Sequence, residues 1–227
     1  MAKIALISDI HSNLEAFEAV LKEIKQYKLS KIFCLGDIVG YAANPNECVE
    51  LIKKNKIKSV MGNHDYEAVN LKNIYWFNPI ARIALLWTNK QLTESNKRYL
   101  GNLPTYLKFD NIFLVHGSPR DPLSEYISSD IGKSDLEELF AITKKQVIAI
   151  GHSHIQFVKK FKGKLVINPG SVGQPRDLNK KAAYCIFETK SLKVDLLRVE
   201  YQIDKVANKI LRSRLPRLLA ERLYLGS

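Results

Sequence analysis

Short apolar runs recur along the chain, and each ends in a polar motif. The runs are rich in Ile, Val, Leu and Phe and are bounded by turn-forming residues, a pattern typical of buried β-strands. They are Lys3–Ile7, Lys31–Leu35, Ile57–Met61, Ile112–Val115 and Val147–Ile150.

Amphipathic stretches separate the first three runs. Leu14–Gln26 carries apolar residues at helical spacing after Asn13 or Ser12, either of which is a suitable N-cap, and Pro45–Asn55 begins with proline at a first helical position. Alternating strands and helices predict right-handed crossovers and a parallel sheet. Ligands bind beyond the carboxyl ends of such strands, so we expect the polar motifs to meet on one rim.

All five histidines of the chain lie in the motifs that follow the strands. Imidazole and carboxylate groups at one rim predict a metal site. Two divalent ions about 3.5–4 Å apart would suit phosphate-ester hydrolysis, and a shared carboxylate would be needed to hold them so close. The motifs are Asp9-Ile10-His11, Gly36-Asp37-Ile38-Val39-Gly40, Gly62-Asn63-His64-Asp65, His116-Gly117 and Gly151-His152-Ser153-His154.

In this order the motifs resemble those of the calcineurin-like metallophosphoesterases, over nearly the whole chain. Residues 36–41, 116–123 and 168–176 resemble most a prokaryotic clade of small phosphodiesterase-like enzymes. The resemblance implies an α/β (α+β) fold, a four-layer αββα sandwich of two mixed β-sheets flanked by helices, in a single domain spanning 1–227. It assigns the second sheet to the later runs Ile155–Phe161, Leu165–Ile167, Ala182–Glu188 and Leu192–Tyr201.

The resemblance also implies roles for the site residues. One metal ion would be held by Asp9, His11, Asp37 and His154, and Asp37 would bridge to a second ion completed by Asn63, His116 and His152. His64 would be a general acid or an electrostatic contact at the leaving group, and Asp65 would orient its imidazole. A metal-bridging hydroxide would attack the phosphorus in line. Mn²⁺ is the first expectation for both ions, and Fe²⁺, Zn²⁺ or Ni²⁺ would also suit these ligands.

The chain departs from the protein Ser/Thr phosphatases of the same superfamily. Gly40 and Tyr41 stand where those enzymes carry Asp-Arg, and Asp65 replaces a glutamate. The departure favours phosphodiesters, including nucleotides or cyclic nucleotides, over a phosphomonoesterase or protein phosphatase. Arg176, Arg120 and Tyr41 are candidate substrate contacts, because a guanidinium binds phosphate in a fork. Alternatively, Arg176-Asp177 is a structural ion pair.

Residues 66–105 form an excursion between the third and fourth motifs. It contains expected helices at Ile80–Asn89 and from Thr93 toward Leu100. Its aromatic residues suggest a cap that stacks on a nucleobase or aryl group, or ordinary core contacts. They are Tyr66, Tyr75, Trp76, Phe77 and Trp87.

Composition adds little to the choice of function. A net charge of +12 favours anionic partners, so a nucleic-acid-binding protein stays an alternative, with nucleic acid otherwise expected only as a substrate. A protein-interaction scaffold is a second alternative, because a retromer subunit of the family serves that purpose. The separated cysteines Cys34, Cys48 and Cys185 predict reduced thiols and a cytoplasmic protein, and no run is long enough to indicate a membrane partner. The C-terminal residues Leu218, Leu219, Leu223 and Leu225 would pack internally or against a second subunit of a homo-oligomer.

Overall fold

The computed structural model describes residues 3–227 and places ten strands in two sheets. The strands are β1 (Lys3–Ile7), β2 (Leu29–Cys34), β3 (Lys58–Ser59), β4 (Tyr106–Phe109), β5 (Ile112–Val115), β6 (Val147–Ala149), β7 (Gln156–Phe161), β8 (Lys164–Pro169), β9 (Ala182–Glu188) and β10 (Lys193–Val199). The helices are α1 (Leu14–Ile24), α2 (Pro45–Lys54), α3 (Asn63–Asn70), α4 (Pro79–Gln91), α5 (Glu94–Gly101), α6 (Lys133–Thr143), α7 (Ile203–Arg212) and α8 (Arg217–Leu225), with a 3₁₀ turn at Ile74–Trp76.

Each sheet has a parallel centre and antiparallel additions. The first sheet has the order β10-β9-β1-β2-β3, with β1, β2 and β3 parallel and β9 antiparallel to β1. The second has the order β4-β5-β6-β8-β7, with β5, β6 and β8 parallel and β4 and β7 antiparallel at the edges. Both sheets are therefore mixed, as the resemblance implies.

Three apolar clusters separate the four layers. The cluster between the sheets joins residues of both, including Leu6 of β1 and Leu114 of β5. A second cluster places α1 and α2 on the outer face of the first sheet, through Phe17 and Val49. A third packs α6 on the outer face of the second sheet, where Leu139 is fully buried. This arrangement confirms the predicted αββα sandwich.

The assignment of strands to sheets corrects two sequence-based expectations. Ala182–Glu188 and Lys193–Val199 extend the first sheet, whereas Ile112–Val115 and Val147–Ala149 belong to the second. The expectation that all the motifs lie at the edge of one parallel sheet is therefore wrong. The parallel strands that precede them belong to two sheets. Alternating hydrophobicity identifies a strand but does not specify its neighbour, which depends on packing between distant segments.

Local signals in the sequence placed the starts of α1, α2, α4 and α5 to within one residue. Asn13 Oδ1 accepts from Ala16 N at 3.1 Å, so Asn13 is the N-cap of α1. Asn78 and Thr93 cap α4 and α5 in the same way, at 2.9 and 3.2 Å. The third strand is shorter than predicted, because Met61 N donates to Pro104 O and leaves the ladder.

The C-terminal helices α7 and α8 pack on α4 and reach the side of Tyr41. Leu219 and Leu223 are buried in this cluster, whereas Leu218 and Leu225 are exposed. Internal packing is therefore confirmed for Leu219 and Leu223, whereas Leu218 and Leu225 face outward. Within residues 3–227 no helix combines the length and the apolar character that crossing a membrane requires.

Candidate metal centre

The strand-end motifs of both sheets converge on one buried cluster. Asp9 and His11 follow β1, Asp37 follows β2, His116 follows β5, and His152 and His154 follow β6. Asn63 and His64 begin α3. Of these residues only Asn63 is half-buried, and the others are at most 4% exposed.

Asp9, His11 and His154 bring their ligand-type atoms together on one side. His11 Nε2 lies 3.1 Å from His154 Nε2, and His154 Nε2 lies 3.3 Å from Asp9 Oδ1. Asp9 Oδ1 is buried without a hydrogen-bond partner, whereas Oδ2 accepts from His152 N. A buried carboxylate oxygen of this kind needs a positive partner.

Asp37, His116 and His152 form a second set beside the first. His116 Nε2 is 3.0 Å from both His152 Nδ1 and Asn63 Oδ1. Asp37 Oδ1 accepts from His64 N at 2.9 Å, which fixes the carboxylate. Its other oxygen, Oδ2, lies 3.4 Å from His116 Nε2 and 3.5 Å from His11 Nε2. Asp37 is thus adjacent to one imidazole from each set.

Backbone carbonyls select which ring nitrogen of each histidine faces the cluster. The far nitrogens Nδ1 of His11, His116 and His154 contact Val39 O, Leu35 O and Gln174 O at 3.2, 2.8 and 2.6 Å. His152 Nε2 contacts Ser124 O at 3.2 Å. When each far nitrogen donates its hydrogen, a neutral ring turns a lone pair toward the cluster. Two lone pairs at 3.1 Å repel unless a cation lies between them, so these residues fit a metal ion.

Charges at the site support the same interpretation. Burial holds the pKa of His11 and of His154 well below the usual range, so both rings are neutral and able to ligate. Burial likewise lowers the pKa of His152 to about 3. Burial also acts against a charge on His116, but the Asp37 carboxylate raises the pKa of His116 to about 9. The surroundings of Asp37 therefore attract positive charge.

The backbone at the ligand positions is unusual. Asp9, His11, Asp37, His152 and His154 all have positive φ, between 49° and 65°. Left-handed backbone costs free energy in residues with a side chain, and such strain concentrates at functional sites. In two of these loops the positive φ recurs two residues apart, at Asp9 and His11 and at His152 and His154, and both side chains of each pair face the cluster.

The role expected for Asp65 is not supported by its contacts. Its Oδ1 accepts from Ile38 N at 2.9 Å and Val39 N at 3.1 Å, and its Oδ2 accepts from Gly62 N at 3.0 Å. The carboxylate thus holds backbone of the Asp37 loop and the start of α3, as acidic residues often do in the first helical turn. His64 Nδ1 is buried without a partner, so orientation of His64 by Asp65 is wrong.

Aromatic packing fixes the His64 ring instead. Its centroid lies 4.6 Å from Tyr41, 4.7 Å from His11 and 5.1 Å from Phe77. Burial lowers the pKa of His64 to about 4, so the imidazole is neutral near pH 7. The ring also faces a cleft of about 590 Å³, which we call the site cleft.

The site cleft joins the metal-type residues to aromatic and basic side chains. Asn63, His64 and His152 line one part of it, and Tyr41, Arg176 and Arg222 another. Tyr66, Trp76 and Phe77 of the 66–105 segment also line it, whereas Trp87 packs among the C-terminal helices.

The candidate arginines differ in their surroundings. Arg176 lines the cleft, where its guanidinium donates to Tyr41 Oη at 3.3 Å. Arg120 lies outside the described lining of the cleft, where Glu125, Asp135 and Glu138 bind its guanidinium. Asp177 pairs with Arg198 and not with Arg176, so the alternative of an Arg176-Asp177 ion pair is wrong.

Two site residues had no signal in the sequence that we recognised. Tyr126 stacks on the His152 ring, with centroids 3.8 Å apart and planes inclined by 30°. Arg222 reaches the cleft from the C-terminal helix α8. Both positions depend on tertiary packing.

Comparison with known proteins identifies the class to which this fold and site belong. A model of the calcineurin-like phosphoesterase superfamily domain matches residues 2–192. The chain belongs to that superfamily, a family of metallophosphoesterases.

Individual relatives agree with this membership. An uncharacterized protein of Methanocaldococcus jannaschii is 46% identical over 243 residues, which cover 98% of each chain. The crystal structure of a metallophosphoesterase from Sphaerobacter thermophilus is 36% identical, with a TM-score of 0.86 over 100% of this chain and 99% of that one. The phosphodiesterase YfcE of Escherichia coli K12 is 26% identical over 91% of this chain and 98% of its own.

Proposed function

We propose that the protein is a dinuclear metal-dependent phosphodiesterase acting on small phosphodiesters, nucleotides or cyclic nucleotides among them. The observation that carries the proposal is the position of Asp37 Oδ2, within 3.5 Å of an imidazole nitrogen from each cluster. Two ions held close together require such a shared carboxylate. In this proposal one ion is bound by Asp9, His11, Asp37 and His154, and the other by Asp37, Asn63, His116 and His152.

The two ions would neutralise phosphate oxygens and make a bound water acidic enough to attack phosphorus. Imidazole, carboxylate and amide ligands suit Mn²⁺, which we propose first, and also Fe²⁺, Zn²⁺ or Ni²⁺. The protein contributes a dry, rigid frame for these ligands, since backbone carbonyls fix the imidazoles and His64 N fixes the Asp37 carboxylate.

His64 is proposed to act on the leaving group from the wall of the site cleft. Its ring is neutral near pH 7, because burial lowers its pKa, and it carries a single N–H. We propose that this N–H donates to the leaving oxygen as charge develops there, which stabilises the transition state without full proton transfer. Arg176, held by Tyr41, is proposed to bind a phosphate group of the substrate.

Two observations favour diesters over monoesters. Tyr41 occupies the position after Gly40 and packs against both His11 and His64, so an aromatic ring stands beside the reaction centre. The wall of the cleft formed by Tyr66, Trp76 and Phe77 suits a second organic substituent on the phosphate. The name of the E. coli relative, a phosphodiesterase, agrees with this preference.

Domain organisation, cellular location and oligomeric state belong to the same proposal. We propose that the chain works as one domain, in which residues 66–105 form a cap beside the cleft. A cytoplasmic location is supported by the buried free thiols of Cys34, Cys48 and Cys185. The exposed residues Leu218 and Leu225 would suit a homo-oligomer contact.

The test compares hydrolysis of bis(p-nitrophenyl) phosphate and p-nitrophenyl phosphate by chelator-stripped protein, with and without Mn²⁺. We expect Mn²⁺-dependent turnover with the diester preferred, and a loss of roughly 10³-fold or more in Asp37→Asn, because the shared ligand is weakened. Asp110→Asn is the matched control: Asp110 also has a positive φ, of 48°, but lies in an exposed turn.

The alternatives predict other results. A phosphomonoesterase would turn over p-nitrophenyl phosphate faster. A scaffold would bind Mn²⁺ and hydrolyse neither compound. A nucleic-acid-binding protein would retain salt-sensitive binding of oligonucleotides after chelation. Either of the first two outcomes would contradict the phosphodiesterase proposal, and the third would do so if the diester is also not hydrolysed.

A further inference from the structure

Arg176 and Arg222 share the wall of the site cleft, although they are distant in the chain. Arg176 follows the Gly/Pro-rich loop after β8, and Arg222 lies on α8. The superfamily domain match ends at residue 192, so Arg222 comes from the part of the chain beyond it. The packing of α8 near Tyr41 brings its guanidinium to the cleft.

Neither arginine pairs with the side chain of an aspartate or glutamate among residues 3–227. Among the ion pairs of residues 3–227 none involves Arg176 or Arg222. Arg222 Nε donates to Ser227 O at 2.6 Å, and Arg176 donates to Tyr41 Oη and Gln174 Oε1, while its Nε is buried without a partner. Half-buried guanidinium groups usually pair with an acidic side chain. Because these two do not, some of their N–H donors remain available to a ligand.

The other groups around the cleft do not supply the missing negative charge. Of the described lining residues only Glu67 carries a carboxylate, and both its oxygens face Asn73 N, at 3.0 and 3.1 Å. Burial and the positive charge of Arg176 lower the pKa of Arg222, which shows that the two cations repel each other. An anion placed between them would relieve this repulsion.

Resting on the proposed function, we propose that Arg176 and Arg222 together bind a second phosphate of the substrate, separate from the phosphate hydrolysed at the metal centre. The substrate class is therefore a phosphodiester that carries an additional phosphate group, as in a 5′-phosphorylated nucleotide ester. Two guanidinium forks provide bidentate contacts for such a dianion. The cleft, at about 590 Å³, lies within the usual range of small-ligand sites.

The test uses equilibrium binding, so that it stays independent of turnover. Calorimetry compares thymidine 3′,5′-bisphosphate with thymidine 3′-phosphate on chelator-treated protein. We expect the bisphosphate to bind roughly 10-fold or more tightly, the usual effect of a charged hydrogen-bonded contact. Arg222→Gln should bring this ratio close to 1, and Arg222→Lys should restore part of it. Arg217→Ala, on the exposed face of the same helix, should leave the ratio unchanged.

Hydrolysis adds a second arm with matched substrates. Thymidine 3′-(p-nitrophenyl phosphate) and its 5′-phosphorylated form differ only in the second phosphate. Arg222→Gln should lower kcat/KM for the second compound and spare the first. A binding ratio near 1 in the unmodified protein, or an equal loss for both ligands in Arg222→Gln, would overturn the inference. If the ratio holds while neither ester is hydrolysed, the inference stands and the proposed function fails.

Discussion

Gly40 lies directly against the His64 imidazole: a β-carbon at position 40 would come within 2.6 Å of His64 Nδ1. The φ of Gly40 is +114°, a conformation that residues with a side chain rarely adopt. The glycine therefore serves two needs at once, since it closes the loop after Asp37 and leaves room for the ring. His64 Nδ1, the atom nearest to that β-carbon, is buried without a hydrogen-bond partner.

We predict that Gly40→Ala lowers the rate of hydrolysis by roughly 10²-fold or more, because the added methyl group displaces His64 from the cleft. A β-carbon there would also lie 3.1 Å from His11 Nδ1, so metal content is measured together with activity. Gly163→Ala is the matched control: Gly163 also has a positive φ, of +73°, but no other described atom lies within 4 Å of a β-carbon there. Equal activity losses in both variants would attribute the effect to backbone strain and contradict the steric argument.

The number of metal ions bound by each variant tests whether the Asp37 carboxylate binds both ions or only one. We predict that the native chain binds two Mn²⁺ ions, that His154→Gln retains about one, and that Asp37→Asn retains less than one, because Asp37 contacts both clusters. Elemental analysis after dialysis measures this. Saturating Mn²⁺ should also raise the thermal midpoint of unfolding. A ligand at 100 times its Kd adds ~2.7 kcal/mol to the free energy of unfolding. Asp37→Asn and His154→Gln with equal metal content would contradict the bridge.

Sequence reasoning was most successful where chemistry is local. Runs of apolar residues located every strand except β4, and Asn13 was a recognisable cap because its side chain acts within three residues. The polar motifs were expected to converge because each follows a strand, although the strands belong to two sheets and not to one. The partners of β9 and β10 were not identifiable, since pairing with β1 depends on contacts between segments far apart in sequence.

The finer features of the site depend on tertiary structure. Asp65 was expected to orient His64, yet the compact start of α3 places its carboxylate under three backbone N–H groups. Arg222 could not be assigned to the cleft from its helical pattern, because a basic residue on an amphipathic helix usually faces solvent. The packing of α7 and α8 beside Tyr41 determines the position of Arg222.

The three contacts of Asp65 predict a structural effect of its substitution. Asp65→Asn should destabilise the fold by roughly 1–3 kcal/mol, because the introduced amide hydrogens would face a backbone N–H donor in a buried site. Urea unfolding at neutral pH measures this. Asp121→Asn is the control, since Asp121 accepts from Leu123 N and Ser124 N with one oxygen in an exposed turn, which an asparagine can retain. Lost activity with unchanged stability would instead support a direct catalytic role for Asp65.

The aromatic wall of the site cleft offers a comparison between adjacent residues. Trp76 is 87% exposed and lines the cleft. Tyr75 is 77% exposed, lies outside the described lining of the cleft, and its ring faces the Arg82 guanidinium. We predict that Trp76→Ala raises KM for a nucleotide ester by roughly 5–100-fold, the range expected for loss of one base-stacking contact. Tyr75→Ala should leave KM unchanged. Unchanged KM in Trp76→Ala would exclude stacking by this residue.

Phe77 should behave differently from Trp76. It is half-buried, packs against two apolar clusters and contacts the His64 ring edge-on at 5.1 Å. Phe77→Ala should therefore lower kcat as well as raise KM, because the support of His64 is removed. A change in KM alone, with kcat intact, would show that the His64 ring is held by Tyr41 and His11 without help.

The link between α1 and the C-terminal helices predicts a pH-dependent contribution to stability. Lys209 Nζ lies 2.7 Å from Glu15 Oε1, and Lys205 Nζ lies 3.2 Å from it. Burial alone would raise the pKa of Glu15, but the contacts with the two lysines lower it below its usual value. A carboxylate whose pKa is lower in the folded state stabilises the protein above its unfolded pKa, and this contribution is lost as the pH falls through the folded value.

Glu15→Gln should therefore lower the free energy of unfolding at pH 7, by roughly 1–3 kcal/mol for a partly buried pair whose lysine partners are left unpaired. The difference from the native chain should shrink as the pH falls below about 4.3, the ordinary pKa of glutamate. Denaturant unfolding across this range measures the effect. Glu50→Gln, which breaks an exposed pair with Lys53, should change stability little at any pH. A Glu15→Gln deficit that persists undiminished in acid would mean that packing, and not the charge, accounts for it.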